Sequence, residues 1–218
     1  MGVLYCSNDH QGKSTLLSVL FSLGPLSSGR VTIAGYDLSE ISCREVRKKI
    51  AIVPQFPTLF DGTVRENLVG GNDLDLTGSP AADDEDEFLE ATLRTCRLGA
   101  VVERGGLDAT LGALSDGEAQ LFCVARALVT RPRILVLDEA TADLDAASAT
   151  ELLRVVEAEF KETTVLSIAH RLNFIRNSDR ILVLNTGGTV NAFASPAKLL
   201  EDPDGYFSKQ LAEENQAM

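Results

Sequence analysis

Two carboxylates stand side by side at the end of an aliphatic run, in Ile134-Leu135-Val136-Leu137-Asp138-Glu139. Four aliphatic residues in a row predict a strand buried on both faces, the kind found in parallel sheets covered by helices. The carboxyl ends of such strands open onto the crevice where α/β proteins bind ligands. There Asp138 is the type of residue that holds magnesium through water, and Glu139 is placed to polarise an attacking water. An exposed turn with a helix start behind it fits the pair alone equally well, so the rest of the chain must decide. Gly12-Lys13-Ser14-Thr15 matches the end of a phosphate-cradling pattern in which backbone N–H groups at a helix start hold phosphate, the lysine reaches terminal phosphates and the hydroxyl binds magnesium, but Ser7 stands where the pattern has glycine, and an ordinary helix start fits these residues alone as well. His170 follows the apolar strand Thr163–Ile168, which places it at the same sheet edge as Asp138 and Glu139.

The elements that must position these groups follow from local pattern. Val3–Cys6 reads as a strand, 7–12 as a polar loop and Lys13–Leu23 as an apolar-rich helix. Gly29–Gly35 and Lys49–Pro54 read as strands about a helical turn over Ser42–Lys48, with Gln55 directly after the second. From about Gly62 to Ala113 the texture turns loop-rich, acidic and helical, with Asp86–Leu98 the clearest helix. The acidic run Asp83–Glu87 reads as a solvated loop. Ser115, with Glu118 three residues on, predicts a capping box opening a helix to about Thr130, which Pro132 closes. Ala146–Phe160 carries Leu152, Leu153, Val156 and Phe160 at helical spacing. Ile181–Leu184 and Thr189–Ala194 form a hairpin around Gly187-Gly188, and Pro196–Glu214 closing helices.

Composition narrows the class. The chain has 218 residues, 44% hydrophobic and 24% charged, as an ordinary globular domain does. A net charge of -12 without a Lys/Arg stripe argues for no nucleic acid as partner. Cys6, Cys43, Cys96 and Cys123 lack metal-ligand spacing and read as reduced thiols. No apolar run approaches the roughly 18 residues of a membrane span, and Met1 leads straight into a core-like strand rather than a signal peptide. The expectation is no transmembrane segment in this chain.

Taken in order, the pieces resemble the nucleotide-binding domain of ATP-binding cassette (ABC) transporters. The resemblance spans essentially the whole chain and rests on Gly12–Thr15, Gln55 after Val53-Pro54, Leu114-Ser115-Asp116-Gly117-Glu118-Ala119-Gln120, Asp138-Glu139, the Asp145 loop and His170. Phe60–Leu68 and His170-Arg171-Leu172 look like the second nucleotide-binding domain of the multidrug-resistance-associated (C) subfamily of exporters. The fold implied is α/β: a P-loop NTPase core, mostly parallel sheet with flanking helices, with an inserted helical subdomain and a truncated N-terminal antiparallel β part. Residues 1–62 and 132–218 would form the ATPase core and 63–131 the helical subdomain with the signature segment. The implied function is ATP binding and hydrolysis powering export.

Roles follow residue by residue from the same resemblance. Gly12, Lys13, Ser14 and Thr15 would bind ATP; Ser14, Gln55 and Asp138 would arrange Mg2+; Glu139 would be the base and His170 the γ-phosphate contact, with Gln55 completing the catalytic set. Ser115 and Gly117 would act across the interface on the nucleotide of a second nucleotide-binding domain in a head-to-tail dimer, and Glu118 and Asp145 would also bind nucleotide. Transporter membrane domains would be the other partners, making the chain membrane-associated at the cytoplasmic face.

The chain also departs from the family pattern. Where the family has G-x-x-G-x-G-K-S it has Ser7-Asn8-Asp9-His10-Gln11-Gly12-Lys13-Ser14, so glycines are replaced at 7 and 10. A bulkier residue forced into the left-handed region costs roughly 1–2 kcal/mol. An Asp9 aimed at phosphate from about 4 Å would be repelled by roughly 4 kcal/mol at an effective dielectric near 20. The early strands with their adenine-stacking aromatic are missing, Gly112-Ala113 replaces a longer loop, and Asp116 and Glu118 place acid in a usually neutral signature. These departures give a competing expectation, a degenerate or N-terminally incomplete non-catalytic domain that binds a partner domain. A soluble ABC ATPase of DNA-repair or translation type lacks its long insertions here, and a small-molecule P-loop kinase would leave the signature segment and His170 without roles.

Overall fold

The computed structural model describes residues 2–6, 13–70, 82–168, 178–185, 188–203, 205, 207–209 and 211–212, of which 2–6, 13, 14 and 82–84 are described by backbone alone. The elements in order are β1 (Gly2–Cys6), α1 (Lys13–Leu20), β2 (Thr32–Ile33), β3 (Tyr36–Asp37), α2 (Cys43–Arg47), β4 (Ile50–Val53), α3 (Val64–Val69), α4 (Ala82–Thr95), α5 (Gly99–Glu103), α6 (Asp116–Thr130), β5 (Ile134–Asp138), α7 (Ala146–Glu159), β6 (Thr164–Ile168), β7 (Arg180–Leu184), β8 (Val190–Ala194) and α8 (Pro196–Leu200). Six strands form one sheet in the order β4-β5-β6-β1-β7-β8. Every pairing in it is parallel except β7 with β8, which close it as an antiparallel hairpin.

β5 lies inside the sheet, and its aliphatic run serves two cores. Leu135 and Leu137 pack with α6, α7 and the helices of 64–103, while Val136 packs with Leu17 of α1, Val46 of α2 and Ile168 of β6. This is the strand buried on both faces that the four-residue run predicts. One continuous apolar cluster runs from Leu89 and Leu93 of α4 through Phe122 of α6 to Leu137 and Val165 of the sheet. The helices over 64–130 therefore share a core with the strands they overlie.

Four local expectations change. Gly29–Gly35 is not one strand: Ile33 pairs with Tyr36 across Ala34-Gly35, both at positive φ (51° and 86°), in a separate two-stranded antiparallel sheet. Two such residues make the tight hairpin turn whose twist suits the flanking strands, and Gly35 adopts that φ without a Cβ penalty. α1 stops at Leu20 rather than Leu23 because Ser22 turns left-handed (φ 51°) and Leu23 N–H returns to the Ser18 carbonyl. Arg47 then caps the exposed carbonyls of Phe21 and Ser22. The run Asp83–Glu87 lies in the first turns of α4, not in a loop; acidic residues at a helix start are favoured by the dipole. α4 begins four residues before the expected Asp86 and ends at Thr95, where Arg97 (φ 62°) and the return bond Leu98 N–H to Leu93 carbonyl break the path before α5.

The remaining elements follow the sequence closely. α6 opens with the Ser115 cap and the Glu118 capping box, and α7 buries Leu152, Val156 and Phe160, with Leu153 half-buried. Among the described residues no helix is long and apolar enough to cross a membrane, and no three His, Cys, Asp or Glu side chains cluster to hold a metal ion.

Candidate functional site

Three parallel strands end level with one another. Val53 of β4 is in register with Leu137 of β5, and Asp138 with Ile168 of β6. Beyond that line the chain leaves the ladder, so Gln55, Asp138 and Glu139 gather at one sheet edge. The Glu139 N–H donates to the Ile168 carbonyl at 3.0 Å, which ties the exits of β5 and β6 together. Glu139 itself sits at φ 52°. A non-glycine residue there is strained by roughly 1–2 kcal/mol, and such residues cluster at functional sites. The Glu139 carbonyl accepts from Ala142 N–H at 2.9 Å, folding 139–142 into a tight turn that carries Asp143 back over the edge. There Gln55 Nε2 donates to Asp143 Oδ2 at 3.1 Å, bridging the exits of β4 and β5.

The turn over 115–118 opens α6. Ser115 caps α6: its Oγ accepts from Glu118 N–H at 3.3 Å, and Glu118 Oε2 accepts from Ser115 N–H and Oγ, each at 2.9 Å. Those donors, the backbone N–H first, hold the Glu118 carboxyl below the usual carboxylate range. Asp145 caps α7 in the same way, accepting from Ala147 N–H, Ser148 N–H and Ser148 Oγ, with the Ser148 hydroxyl the main cause of its lowered pKa. The two caps touch: a Cβ on Gly117 would lie 2.9 Å from Ser148 Oγ. Only glycine lets α6 and α7 begin this close together. Ser115 and Asp145 remain exposed while Gly117 is half-buried.

On the phosphate side, β1 leads toward α1, whose first residues are Lys13 and Ser14, with Thr15 exposed in its first turn. Gly12 and His170 lie outside the described residues, as do the side chains of Lys13 and Ser14. β6, the strand that leads to His170, pairs in parallel with β5, so its exit is next to that of Asp138.

The matching family model is that of the ABC transporter, over residues 10–142. The ATP-binding cassette sub-family C member 10 of Mus musculus is 42% identical over 210 residues, covering 94% of this chain and 13% of that protein. The ABC transporter C family member 9 of Arabidopsis thaliana is 38% identical over 208 residues, covering 93% of this chain and 13% of its own length. A bacterial Atm1-family ABC exporter solved with ATP bound has a TM-score of 0.82 at 32% identity, over 100% of this chain and 36% of that one.

The chain belongs to the ABC transporter family. It is a nucleotide-binding domain of that family, similar to members of subfamily C, and its α/β fold of mostly parallel sheet and helices is that of a P-loop NTPase core. It spans 13% of the length of these two curated relatives.

Within this ABC domain, oxygen donors of the kind magnesium prefers, the Asp138 carboxylate and the Gln55 amide, stand at neighbouring strand exits. Magnesium keeps several waters and is commonly held by one or two carboxylates plus substrate phosphates, so this sparse donor set fits it. Two residues at the edge have no role predicted from sequence. Asp143 holds Gln55, and Gln120 of α6 donates to the carbonyls of Pro54 and Gln55 at 3.0 and 2.6 Å. Gln120 carries one legible signal: it is polar on a helix face whose neighbours Val124 and Ala127 are buried.

Proposed function

We propose that this domain binds ATP with magnesium and hydrolyses it as the nucleotide-binding part of an ABC exporter. The observation that carries the reading is the strained Glu139 at the exit of β5, locked to β6 through its N–H and level with Asp138 and Gln55. Lys13 would bind the terminal phosphates, with the N–H groups of Gly12 to Thr15 around them. Ser14, Gln55 and Asp138 would hold Mg2+, which neutralises developing phosphate charge. The Glu139 carboxylate would accept a proton from the attacking water, and His170 would contact the γ-phosphate. Chemistry of this kind is mostly positioning and charge stabilisation, which a rigid set of strand exits suits.

The exposed Ser115 and Asp145, with Gly117 and Glu118 behind them, would meet the nucleotide held by a second nucleotide-binding domain in a head-to-tail dimer. Residues 1–62 and 132–218 would act as the ATPase core and 63–131 as the helical subdomain. Contact with transporter membrane domains would place the domain at the cytoplasmic face of the membrane. Steady-state phosphate release by the purified chain, beside Glu139→Gln, tests the reading. Turnover that falls at least about a hundredfold in the variant, the upper part of what a general base contributes, is expected. Equal turnover in both proteins would remove Glu139 from the mechanism.

A further inference from the structure

α6 sends one polar side chain into the core beneath the site. Gln120 is only 2% exposed, and its Nε2 is spent on two main-chain carbonyls, those of Pro54 and Gln55. Its Oε1 is buried with no partner among the described residues. A residue kept for packing alone would avoid an unpaired buried acceptor, which is unfavourable. What Gln120 does supply is donors where the sheet has none to give. β4 leaves the ladder after Val53, so the carbonyls of residues 54 and 55 have passed the last strand partner. One amide NH2 holding both fixes the peptide planes on either side of Gln55, and with them the direction of its side chain. That side chain then reaches Asp143, in the loop that carries Glu139.

The segment that follows is held from the same helices. Arg126 of α6 donates to the Thr58 carbonyl at 3.0 Å, and Asn67 of α3 both accepts from Phe60 N–H at 2.7 Å and donates to its carbonyl at 2.8 Å. The irregular backbone from Pro54 to Phe60 is thus tied along its length to side chains of α3 and α6, while Phe56 and Phe60 stay exposed at 71% and 57%.

We infer that Gln120 is a positioning residue: it holds the Gln55 backbone so that the Gln55 side chain faces Asp143 and the magnesium-bearing nucleotide. It also couples that side chain to the Ser115–Gly117 turn at the start of its own helix. The functional part of this inference rests on the proposed ATPase reading; the structural part does not.

Gln120→Met keeps length and volume and removes both donors. In the full chain without nucleotide, amide hydrogen exchange at Gln55, Phe56 and Thr58 should quicken at least about tenfold, what one of the two lost hydrogen bonds supports, with 121–130 unchanged. With MgATP, kcat should fall by a similar factor, KM for ATP should stay within about twofold and the half-saturating magnesium concentration should rise. In a Gln55→Ala background the added substitution should change kcat little, because the residue it positions is gone. Gln120→Leu, also without donors and close in volume, should behave alike and serves if the methionine variant is unstable. Unchanged exchange at 55–58, faster exchange along all of α6, or additive effects with Gln55→Ala would overturn the inference. If the unsubstituted chain releases no phosphate the ATPase reading fails, and the exchange comparison still decides whether Gln120 holds Gln55.

Discussion

Glu139 occupies a backbone conformation that glycine, asparagine or aspartate would adopt at lower cost, yet it puts a carboxylate residue at the β5–β6 junction. Function and stability should therefore part company at this residue. Glu139→Asn relieves strain of roughly 1–2 kcal/mol, so the unfolding temperature should rise by about 2–8 °C while phosphate release is lost and nucleotide binding persists. Calorimetry of the two proteins beside a turnover assay checks this, and a lower transition temperature in the variant would contradict the strain argument. The residue types at this edge were readable in the sequence because a buried strand ending in two acids is an unusual word. The strain was not, since Glu139 carries no glycine-like mark and its φ follows from the bond to Ile168 and the turn to Ala142.

Between elements, the contacts that matter are made by caps. Gly117 brings α6 against the Asp145–Ser148 cap of α7, and Gly117→Ala would push a Cβ to within 2.9 Å of Ser148 Oγ, itself held at 2.6 Å by Asp145. Overpacking of this sort costs about 1–3 kcal/mol. Chemical denaturation should show that loss, and much of it should return in the Gly117→Ala, Ser148→Gly double variant, where the obstructing hydroxyl is absent. Glu151 of α7 forms a second tie, bonding Arg154 on its own helix and Arg97 at the end of α4. Arg154 first and Arg97 second lower its pKa to about 2. A carboxyl lowered on folding adds stability above its unfolded value, and that contribution disappears as pH falls through the folded one. Glu151→Gln should melt about 1–3 °C below the parent at pH 7, and the gap should close between about pH 4.5 and 2. At this scale the Ser115–Glu118 capping box, α7 and the terminal hairpin were legible from cap residues and apolar spacing. The early hairpin was not, because Ala34 shows no turn signal, and the end of α4 was hidden because Arg97 takes a conformation its type rarely adopts.

Among the described residues the six-stranded sheet carries an apolar core on each face, the larger one shared by the strands and by the helices over 64–130. Motif order carried the family assignment: no one motif sufficed, but Gly12–Thr15, Gln55, the 114–120 segment, Asp138-Glu139 and Asp145 fall in one succession, and family membership bears it out. Non-local hydrogen bonds could not be read that way, since Gln120 meets Pro54 and Gln55 across more than sixty residues of chain. The loop Ser7–Gln11 puts the strongest demand on the account, because side chains in place of glycine at 7 and 10, and an Asp9 aimed at phosphate, would oppose binding. Titration calorimetry of the purified chain with MgATP, beside Lys13→Ala, tests it most directly. Micromolar binding that weakens at least about tenfold in the variant, the loss of roughly one charge-assisted contact, is the expected result. No heat of binding from a folded chain, or equal affinity in the two proteins, would contradict the claim that this domain holds ATP through Lys13.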